Sequence, residues 1–82
     1  FFTSGEKETK AWSAKKDFNA SDCSGIIHSD IKKGFIRAET VSYNDYIKHN
    51  GEQGSKNNGA WRQEGKDYIV QEGDVIYFRF NV

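Results

Sequence analysis

Residues 25–39 have the sequence Gly-Ile-Ile-His-Ser-Asp-Ile-Lys-Lys-Gly-Phe-Ile-Arg-Ala-Glu, and they predict a helix that passes almost directly into a strand. Ile27 and Ile31 are four residues apart and therefore share one helix face, which Cys23 extends by another turn. A helix with a single apolar face needs a sheet to pack against. We therefore expect the rest of the chain to supply that sheet.

The helix is expected to end at a glycine. Lys32 and Lys33 fall in its last turn, where cations suit the negative end of the helix dipole. Gly34 follows them and is expected to take the left-handed conformation of a C′ residue. Residues 35–41 then place apolar side chains at alternate positions, which predicts a strand.

The composition indicates one small domain. The 82 residues include twelve basic and twelve acidic side chains, so the formal net charge is zero. Six Phe, four Tyr and two Trp provide large side chains for a compact core. Zero net charge argues against binding nucleic acid by bulk electrostatics, although it is compatible with a local basic patch.

The sequence also predicts a monomeric, cytoplasmic fragment of a longer protein. It begins Phe-Phe without Met, shows no secretory signal, and has no apolar run long enough to span a membrane. Its one cysteine cannot form an internal disulfide, which favours a reducing compartment.

A hairpin is predicted before the helix. Residues 1–3 and 8–14 are expected to form its strands, joined by a turn at residues 4–7. Ser21 is the predicted N-cap of the main helix, which would run over residues 22–33.

A short helix is predicted after the strand at residues 35–41. Ser42 is its N-cap candidate, the helix would cover residues 43–49, and Gly51 would stop it. Residues 52–58 fit either a loop or a frayed helical turn.

Two strands are predicted at the end of the chain, at residues 67–70 and 75–82, with a turn at residues 71–74 between them. Ile76, Phe78 and Phe80 alternate on one face of the last strand. That apolar content indicates a central position in the sheet.

This order of elements favours an α+β fold of the β-grasp, or ubiquitin-like, plan. One main helix would cross a mixed sheet, a short second helix would follow, and the last strand would run parallel beside the first. A ferredoxin-like sandwich is the alternative, but it needs a second full helix, and residues 43–49 are short for one.

Several sequence blocks occur in the order known from one protein family. They are Phe-Phe-Thr-Ser-Gly at 1–5, Ala-Trp at 11–12, Ile-His-Ser-Asp at 27–30, Lys-Gly-Phe-Ile-Arg-Ala-Glu at 33–39, Arg-Gln-Glu-Gly-Lys-Asp-Tyr at 62–68 and Gly-Asp-Val-Ile-Tyr-Phe-Arg-Phe-Asn-Val at 73–82. Through these blocks the chain resembles the C-terminal domain of the YchF family, the Obg-like ATPases. Residues 52–60 depart from the family pattern, in which this segment is usually more helical.

The resemblance implies that residues 1–82 are a single TGS-like β-grasp domain at the C-terminus of a longer P-loop ATPase or GTPase. It implies a parent that binds ATP or GTP with Mg and is linked to ribosomes and translation. This chain has no Gly-x-x-x-x-Gly-Lys-[Ser/Thr] loop. We therefore expect no catalysis and no cofactor in the chain itself, with the nucleotide site elsewhere in the parent.

The candidate binding residues are basic and aromatic. Lysine pairs close the hairpin and end the helix, and the β-grasp plan allows the two pairs to approach each other. Together with nearby residues they would contact phosphates in a salt-sensitive, sequence-tolerant way. The candidates for RNA or partner binding are Lys15, Lys16, His28, Lys32, Lys33, Arg37, Trp61 and Arg62. The alternative for each charged residue is an ordinary solvated side chain.

His28 stands beside Asp30, but a general base needs a positioned partner and a pocket, so a structural role at the helix end is favoured. Cys23 is expected to be a small core residue, and no metal-ligand spacing is present. The main hypothesis is a non-catalytic accessory module that contacts RNA or the ribosome. The second is a protein-interaction or intramolecular regulatory module that acts on the parent's P-loop domain, and an independent small enzyme has little support.

Overall fold

The computed structural model describes residues 1–4 and 9–81, and these residues form one mixed sheet with four short helices. The elements are β1 (Phe2–Ser4), β2 (Thr9–Ala11), α1 (Ala20–Ile27), α2 (Ser29–Lys33), β3 (Phe35–Ser42), α3 (Tyr43–Lys48), α4 (Glu52–Asn57), β4 (Arg62–Glu64) and β5 (Asp74–Phe80).

The sheet has the strand order β2-β1-β5-β3-β4, which confirms the β-grasp plan. β5 is central, as its apolar sequence predicts, and it runs parallel to β1 and antiparallel to β3. β1 and β2 form the expected antiparallel hairpin, but β2 ends at Ala11 instead of continuing to residue 14. Most of the predicted turn at residues 4–7, together with residues 8 and 82, lies outside the described residues.

The predicted single helix at residues 22–33 is wrong, because the chain breaks at His28. His28 has extended backbone angles (φ −166°, ψ 140°), and its Nδ1 accepts a hydrogen bond from the backbone N–H of Asp30 at 3.0 Å. The helix also begins earlier than predicted, with Asn19 rather than Ser21 as N-cap. Asn19 and Asp22 form a capping box in which each side chain accepts the other's backbone N–H, at 2.8 and 3.2 Å.

Gly34 ends α2 as predicted, but it is not left-handed, since its φ is −94°. Because Gly34 has no side chain, the backbone of another chain segment can come close to it. A Cβ on Gly34 would overlap the carbonyl oxygen of Asn81, and the Asn81 N–H donates to the Gly34 carbonyl at 2.9 Å. Glycine is therefore required where the start of β3 meets the end of β5.

The apolar core lies between α1 and one face of the sheet. Ala20, Phe35, Ala38 and Ile76 form its buried cluster, with Phe78 among the partly buried side chains against it. A β-bulge between residues 35 and 37 interrupts the predicted alternation and leaves the side chain of residue 36 54% exposed. The last core position predicted for β5, residue 80, is 44% exposed at the strand end.

The predicted strand at residues 67–70 is also wrong. These residues make only one isolated bridge, between Ile69 and Asn19, and they bond to the start of α1 through Ala20 N–H and the Tyr68 carbonyl at 2.8 Å. The fourth strand is the polar segment Arg62–Glu64, which pairs with β3 at the edge of the sheet.

Two short helices follow β3. Ser42 is the N-cap of α3 as predicted, because its Oγ accepts the backbone N–H of Asp45 at 3.2 Å. α3 ends at Lys48, and Gly51 stands at the N-cap position of α4 with φ 100°. Residues 52–58, for which the sequence fits either a loop or a frayed helical turn, thus contain the helix α4. Within the described part of the chain, no helix is long and apolar enough to cross a membrane.

Candidate functional site

The sheet face opposite α1 carries a group of charged and aromatic side chains. In the antiparallel pairing of β3 with β5, Arg37 stands opposite Arg79 and Glu39 stands opposite Tyr77. Directly opposite residues share one face, so all four project from the same side of the sheet. Trp61, just before β4, joins them by packing its ring 5.0 Å from the Tyr77 ring. We call these five residues the Glu39 cluster.

Glu39 is the centre of this cluster. It is only 5% exposed, and its carboxylate accepts hydrogen bonds from three side chains. Arg79 Nε and Arg37 Nε donate to the same oxygen, Oε2, at 2.9 and 3.1 Å, while Trp61 Nε1 donates to Oε1 at 3.0 Å. Such charge-assisted bonds compensate the cost of burying the carboxylate.

These donors hold Glu39 in its charged form. The hydrogen bond from Arg79 is the largest influence, and with the bonds from Trp61 and Arg37 it outweighs burial and lowers the pKa of Glu39 to about 2. At neutral pH one negative charge therefore faces two positive charges. The cluster keeps a net charge of +1 although the whole chain is neutral.

The cationic ends of the cluster reach solvent. The side chains of Arg37 and Arg79 are 42% and 41% exposed. Their bonds to Glu39 use both Nε atoms and, at 3.4 Å, Nη2 of Arg79. Within residues 1–4 and 9–81, no protein group accepts a hydrogen bond from either Nη of Arg37. Among the described residues, nothing occupies these N–H groups, and there they could donate to an anion.

Aromatic and basic neighbours border the arginines. The guanidinium of Arg79 lies 5.8 Å from the Tyr77 ring centroid, and Lys56 Nζ lies 5.0 Å from that of Trp61. Lys56 also pairs with Glu52 at 2.8 Å on α4. Burial raises the pKa of Tyr77 to about 12, so its hydroxyl stays neutral. The arrangement suits an anion that is attached to a flat ring.

Arg62, a sequence-predicted candidate, belongs to a different network. It pairs with Thr40 in the sheet, so it lies on the α1 side. Its Nη2 lies 3.3 Å from the Tyr68 hydroxyl and 3.6 Å from a carboxylate oxygen of Asp74, which is 3% exposed. The structure therefore separates Arg62 from Trp61, its neighbour in sequence.

The two lysine pairs are not brought together. Lys15 and Lys16 are exposed beside the segment that leads into β5, whereas Lys33 immediately precedes Gly34, which pairs with the residue after β5. The seven residues of β5 separate these places by about 20 Å. Lys32 lies 3.9 Å from Asp22. The helix-end lysines share their end of the sheet with the paired arginines of the Glu39 cluster.

His28 and Cys23 have structural roles. The His28 side chain is 61% exposed, and its Nδ1 is occupied by the backbone N–H of Asp30. Cys23 is fully buried, and burial raises the pKa of its thiol to about 11, which keeps it unreactive. In the part of the chain that the structure describes, no group of three His, Cys, Asp or Glu side chains could hold a metal ion.

Arg37 and Trp61 are among the candidates predicted from the sequence, whereas Glu39 and Arg79 are not. Residues two apart on a strand share a face, so Glu39 could have been linked to Arg37 from the sequence. The link between the two strands depends on their pairing register.

A separate apolar groove of about 310 Å³ lies between β2 and α3. Two of its walls are exposed apolar side chains one helical turn apart, Tyr43 at 43% and Ile47 at 57%. The Phe2 ring packs 5.2 Å from the Tyr43 ring at its base. The groove is lined by Phe2, Thr9, Ala11, Tyr43, Tyr46, Ile47 and Val75.

Comparisons with known proteins agree with the sequence blocks described above. The family model YchF-GTPase_C, described as "Protein of unknown function (DUF933)", matches residues 1–81. The protein named Ribosome-binding ATPase YchF from Bacillus subtilis is 57% identical over 82 residues, which are 100% of this chain and 22% of that protein. Its namesake from Haemophilus influenzae is 55% identical over 82 residues, again 100% of this chain and 23% of the relative.

More distant relatives match over the same region. Obg-like ATPase 1 from Pongo abelii is 44% identical over 81 residues, 99% of this chain and 20% of that protein. The structure of the Schizosaccharomyces pombe YchF GTPase superposes with a TM-score of 0.88 at 31% identity, covering 95% of this chain and 21% of the other. The chain thus spans about a fifth of the length of these relatives. It belongs to the family of C-terminal domains of the YchF, or Obg-like, ATPases.

Proposed function

We propose that this chain is the non-catalytic accessory module of a longer YchF-type ATPase, and that it contacts ribosomal RNA through the Glu39 cluster. The ribosome is chosen as the partner because relatives of this chain are named Ribosome-binding ATPase. The observation that carries the proposal is the buried carboxylate of Glu39, which holds two half-exposed arginines beside Trp61.

The chemistry of the cluster suits an RNA backbone. Guanidinium groups bind phosphate oxygens through paired N–H groups, and they do so in a way that depends on charge rather than on base sequence. Trp61 and Tyr77 add flat apolar surface on which a neighbouring base can pack. A neutral domain can thereby bind RNA through one local patch. Lys32 contacts Gly25 of α1 and lies 3.9 Å from Asp22, so it stands on the α1 side of the sheet and outside this patch.

The remaining functions of the parent lie outside this chain in the proposal. ATP or GTP, with Mg, would bind a P-loop domain elsewhere in the polypeptide, while residues 1–82 form a single TGS-like domain without cofactor. The assembly would act in the cytoplasm, where ribosomes are found, and this domain would not oligomerise by itself.

Ribosome binding by the full-length protein tests the proposal. Arg37→Glu and Arg79→Glu should each weaken binding about tenfold or more at physiological salt and reduce the salt slope by about 1 or more. Lys66→Glu is the matched control, because Lys66 is exposed in a turn beside the start of α1, on the other side of the sheet. Equal affinity of the arginine variants and the control would contradict the proposal.

A second candidate function is regulation of the parent's P-loop domain through the groove between β2 and α3. The exposed side chains of Tyr43 and Ile47 favour this function, because they add apolar surface to the wall of the groove. The occupant would be part of the remaining four fifths of the polypeptide, since the relatives are about five times longer than this chain. Ile47→Glu in the full-length protein should then change ATP turnover while ribosome affinity stays constant. Unchanged turnover would exclude this function for the groove.

A further inference from the structure

Glu39 accepts hydrogen bonds from three side chains, and the two arginines among them are about 40% exposed, which goes beyond what burial of a carboxylate requires. We infer that Glu39 is a positioning residue that holds Arg37 and Arg79 as a preformed fork for a phosphodiester group of RNA, with Trp61 fixed beside the fork. The inference rests on the proposed function, and it adds the chemical group that is recognised and the residue that shapes the site.

Glu39 fixes the orientation of both guanidinium groups. Arg37 and Arg79 donate their Nε–H to a single oxygen of Glu39, at 3.1 and 2.9 Å. A guanidinium is planar, so fixing its Nε edge also fixes the directions of its Nη groups. Both Nη groups of Arg37 lack a protein acceptor among the residues that the structure describes. The fork therefore offers N–H groups in set directions before any ligand arrives.

Glu39 also offsets the repulsion between the two arginines. Arg37 and Arg79 are direct cross-strand partners, and like charges at such positions repel. The carboxylate between them removes this repulsion and ties both guanidinium groups to one point. Without it, each long side chain would regain its rotamer freedom and would have to be ordered again on binding. Glu39 thus supports anion binding although it is itself an anion.

A phosphodiester is the ligand that fits this arrangement of side chains. The fork matches the two non-bridging oxygens of a phosphodiester, which two guanidiniums can share. Trp61 is held by Nε1 to the other oxygen of Glu39, so an aromatic side chain is fixed next to the fork. A phosphate beside an aromatic ring is the arrangement that single-stranded RNA satisfies, because a base can pack where its own phosphate is bound. An acidic protein surface offers carboxylates but no base to stack.

The direction in which RNA affinity changes in the Glu39→Gln variant tests the inference. Glu39→Gln keeps the shape of the side chain and raises the net charge by one. Bulk electrostatics then predicts tighter binding of RNA, whereas loss of the positioned fork predicts weaker binding. Glu72→Gln adds the same charge in the exposed turn before β5, at the other end of the sheet, and is the matched control.

The experiment measures binding of the full-length protein to a labelled oligouridylate and to purified ribosomes. Glu39→Gln should weaken both by about tenfold, the size expected when two long side chains must be ordered on binding. Glu72→Gln should bind as tightly as the unchanged protein or slightly more tightly. The positioning role is overturned if Glu39→Gln binds as well as Glu72→Gln.

Further variants distinguish failure of the positioning role of Glu39 from failure of the proposed function. Arg79→Lys keeps the charge but loses the planar guanidinium, so it should weaken binding as Glu39→Gln does. It replaces Glu39→Gln as the test if that variant does not fold. If Arg37→Glu and Arg79→Glu leave binding unchanged, the proposed function itself fails. If they weaken binding while Glu39→Gln and Arg79→Lys do not, only the positioning role fails. Weaker binding to ribosomes with unchanged binding to oligouridylate would identify an acidic protein as the ligand and overturn the RNA assignment.

Discussion

Two carboxylates, Glu39 and Asp74, are equally deep in the sheet but organise different surroundings. Glu39 is 5% exposed and Asp74 is 3% exposed. Asp74 accepts the Tyr68 hydroxyl and, at 2.9 Å, the backbone N–H of Gln71, with Arg62 at 3.6 Å. Two of those donors precede it by three and six residues, so the bonds fix the turn that leads into β5.

Glu39 collects donors from distant parts of the chain. Arg37 lies on the same strand, but Arg79 is forty residues away and Trp61 is twenty-two residues away. Asp74 draws mainly neutral donors and completes the fold, whereas Glu39 draws two cations and leaves their outer ends in solvent. Burial of a charge therefore does not indicate function by itself. The two networks differ in their cations: two guanidinium groups donate to Glu39, whereas the one guanidinium beside Asp74 lies 3.6 Å away.

The largest effect is expected from removing Asp74. Asp74→Ala leaves the Tyr68 hydroxyl and the Gln71 N–H without their acceptor, and should lower the free energy of unfolding by about 3 kcal/mol. Urea unfolding of the variant measures this loss. Under conditions where the variant is folded, affinity for ribosomes should be unchanged. A loss below about 1 kcal/mol would remove the structural role assigned to Asp74.

Acid should weaken the Glu39 cluster in a defined pH window. The pKa of Glu39 is lowered from 4.5 to about 2, so its contribution is fully present above pH 4.5 and is lost as the pH falls through 2. The shift corresponds to about 3 kcal/mol at most, by the conversion of about 1.4 kcal/mol per pKa unit. Urea unfolding at several pH values between 7 and 2 measures this loss.

Glu39→Gln is the reference for this prediction, because it cannot titrate. The difference in unfolding free energy between the original protein and the variant should be constant above pH 4.5 and should shrink towards pH 2. A difference that stays constant over the whole range would show that the carboxylate is not held in its charged form by Arg79 and its neighbours.

A matched pair of substitutions compares the neutral donors of the two networks. Trp61→Phe removes the bond to Glu39, and Tyr68→Phe removes the bond to Asp74. Each should lower the free energy of unfolding by about 1.5–3 kcal/mol, the usual size for a hydrogen bond to a charged group. Only Trp61→Phe should weaken RNA binding, measured by titration with oligouridylate. Equal affinity of the two variants would place Trp61 outside the binding surface.

Sequence patterns predicted the elements whose side chains repeat with a clear period. β5 alternates apolar residues and is central, and Ile27 and Ile31 pack on one side although the helix between them is broken. That break was not predictable from periodicity, because it depends on a His28 side chain bonding to the backbone two residues on. β4 was missed because its Arg-Gln-Glu sequence has no apolar pattern, and its edge position is fixed by backbone pairing with β3.

The candidate site was predictable only in part, for a related reason. The aromatic ring of Trp61 and the charge of Arg37 are local properties of the sequence. The role of Glu39 requires the register that sets Arg37 opposite Arg79, and that register is shaped by the bulge near the start of β3. Arg62 shows the converse, because its neighbour Trp61 made it a candidate while strand pairing turned it to the other side of the sheet.

The smallest effect is expected from Arg62→Ala. Its side chain is 44% exposed and lies 3.4 Å from Glu64 and 3.6 Å from Asp74, so solvent screens both pairs and the stability loss should be about 0.5 kcal/mol. Asp74 keeps its Tyr68 and Gln71 donors in this variant. Because Arg62 lies on the α1 side, oligouridylate affinity should fall far less than in Arg37→Ala, in the same titration. If the two variants lose equal affinity, RNA contacts both sides of the sheet, and the contrast between the Glu39 cluster and the Asp74 network fails.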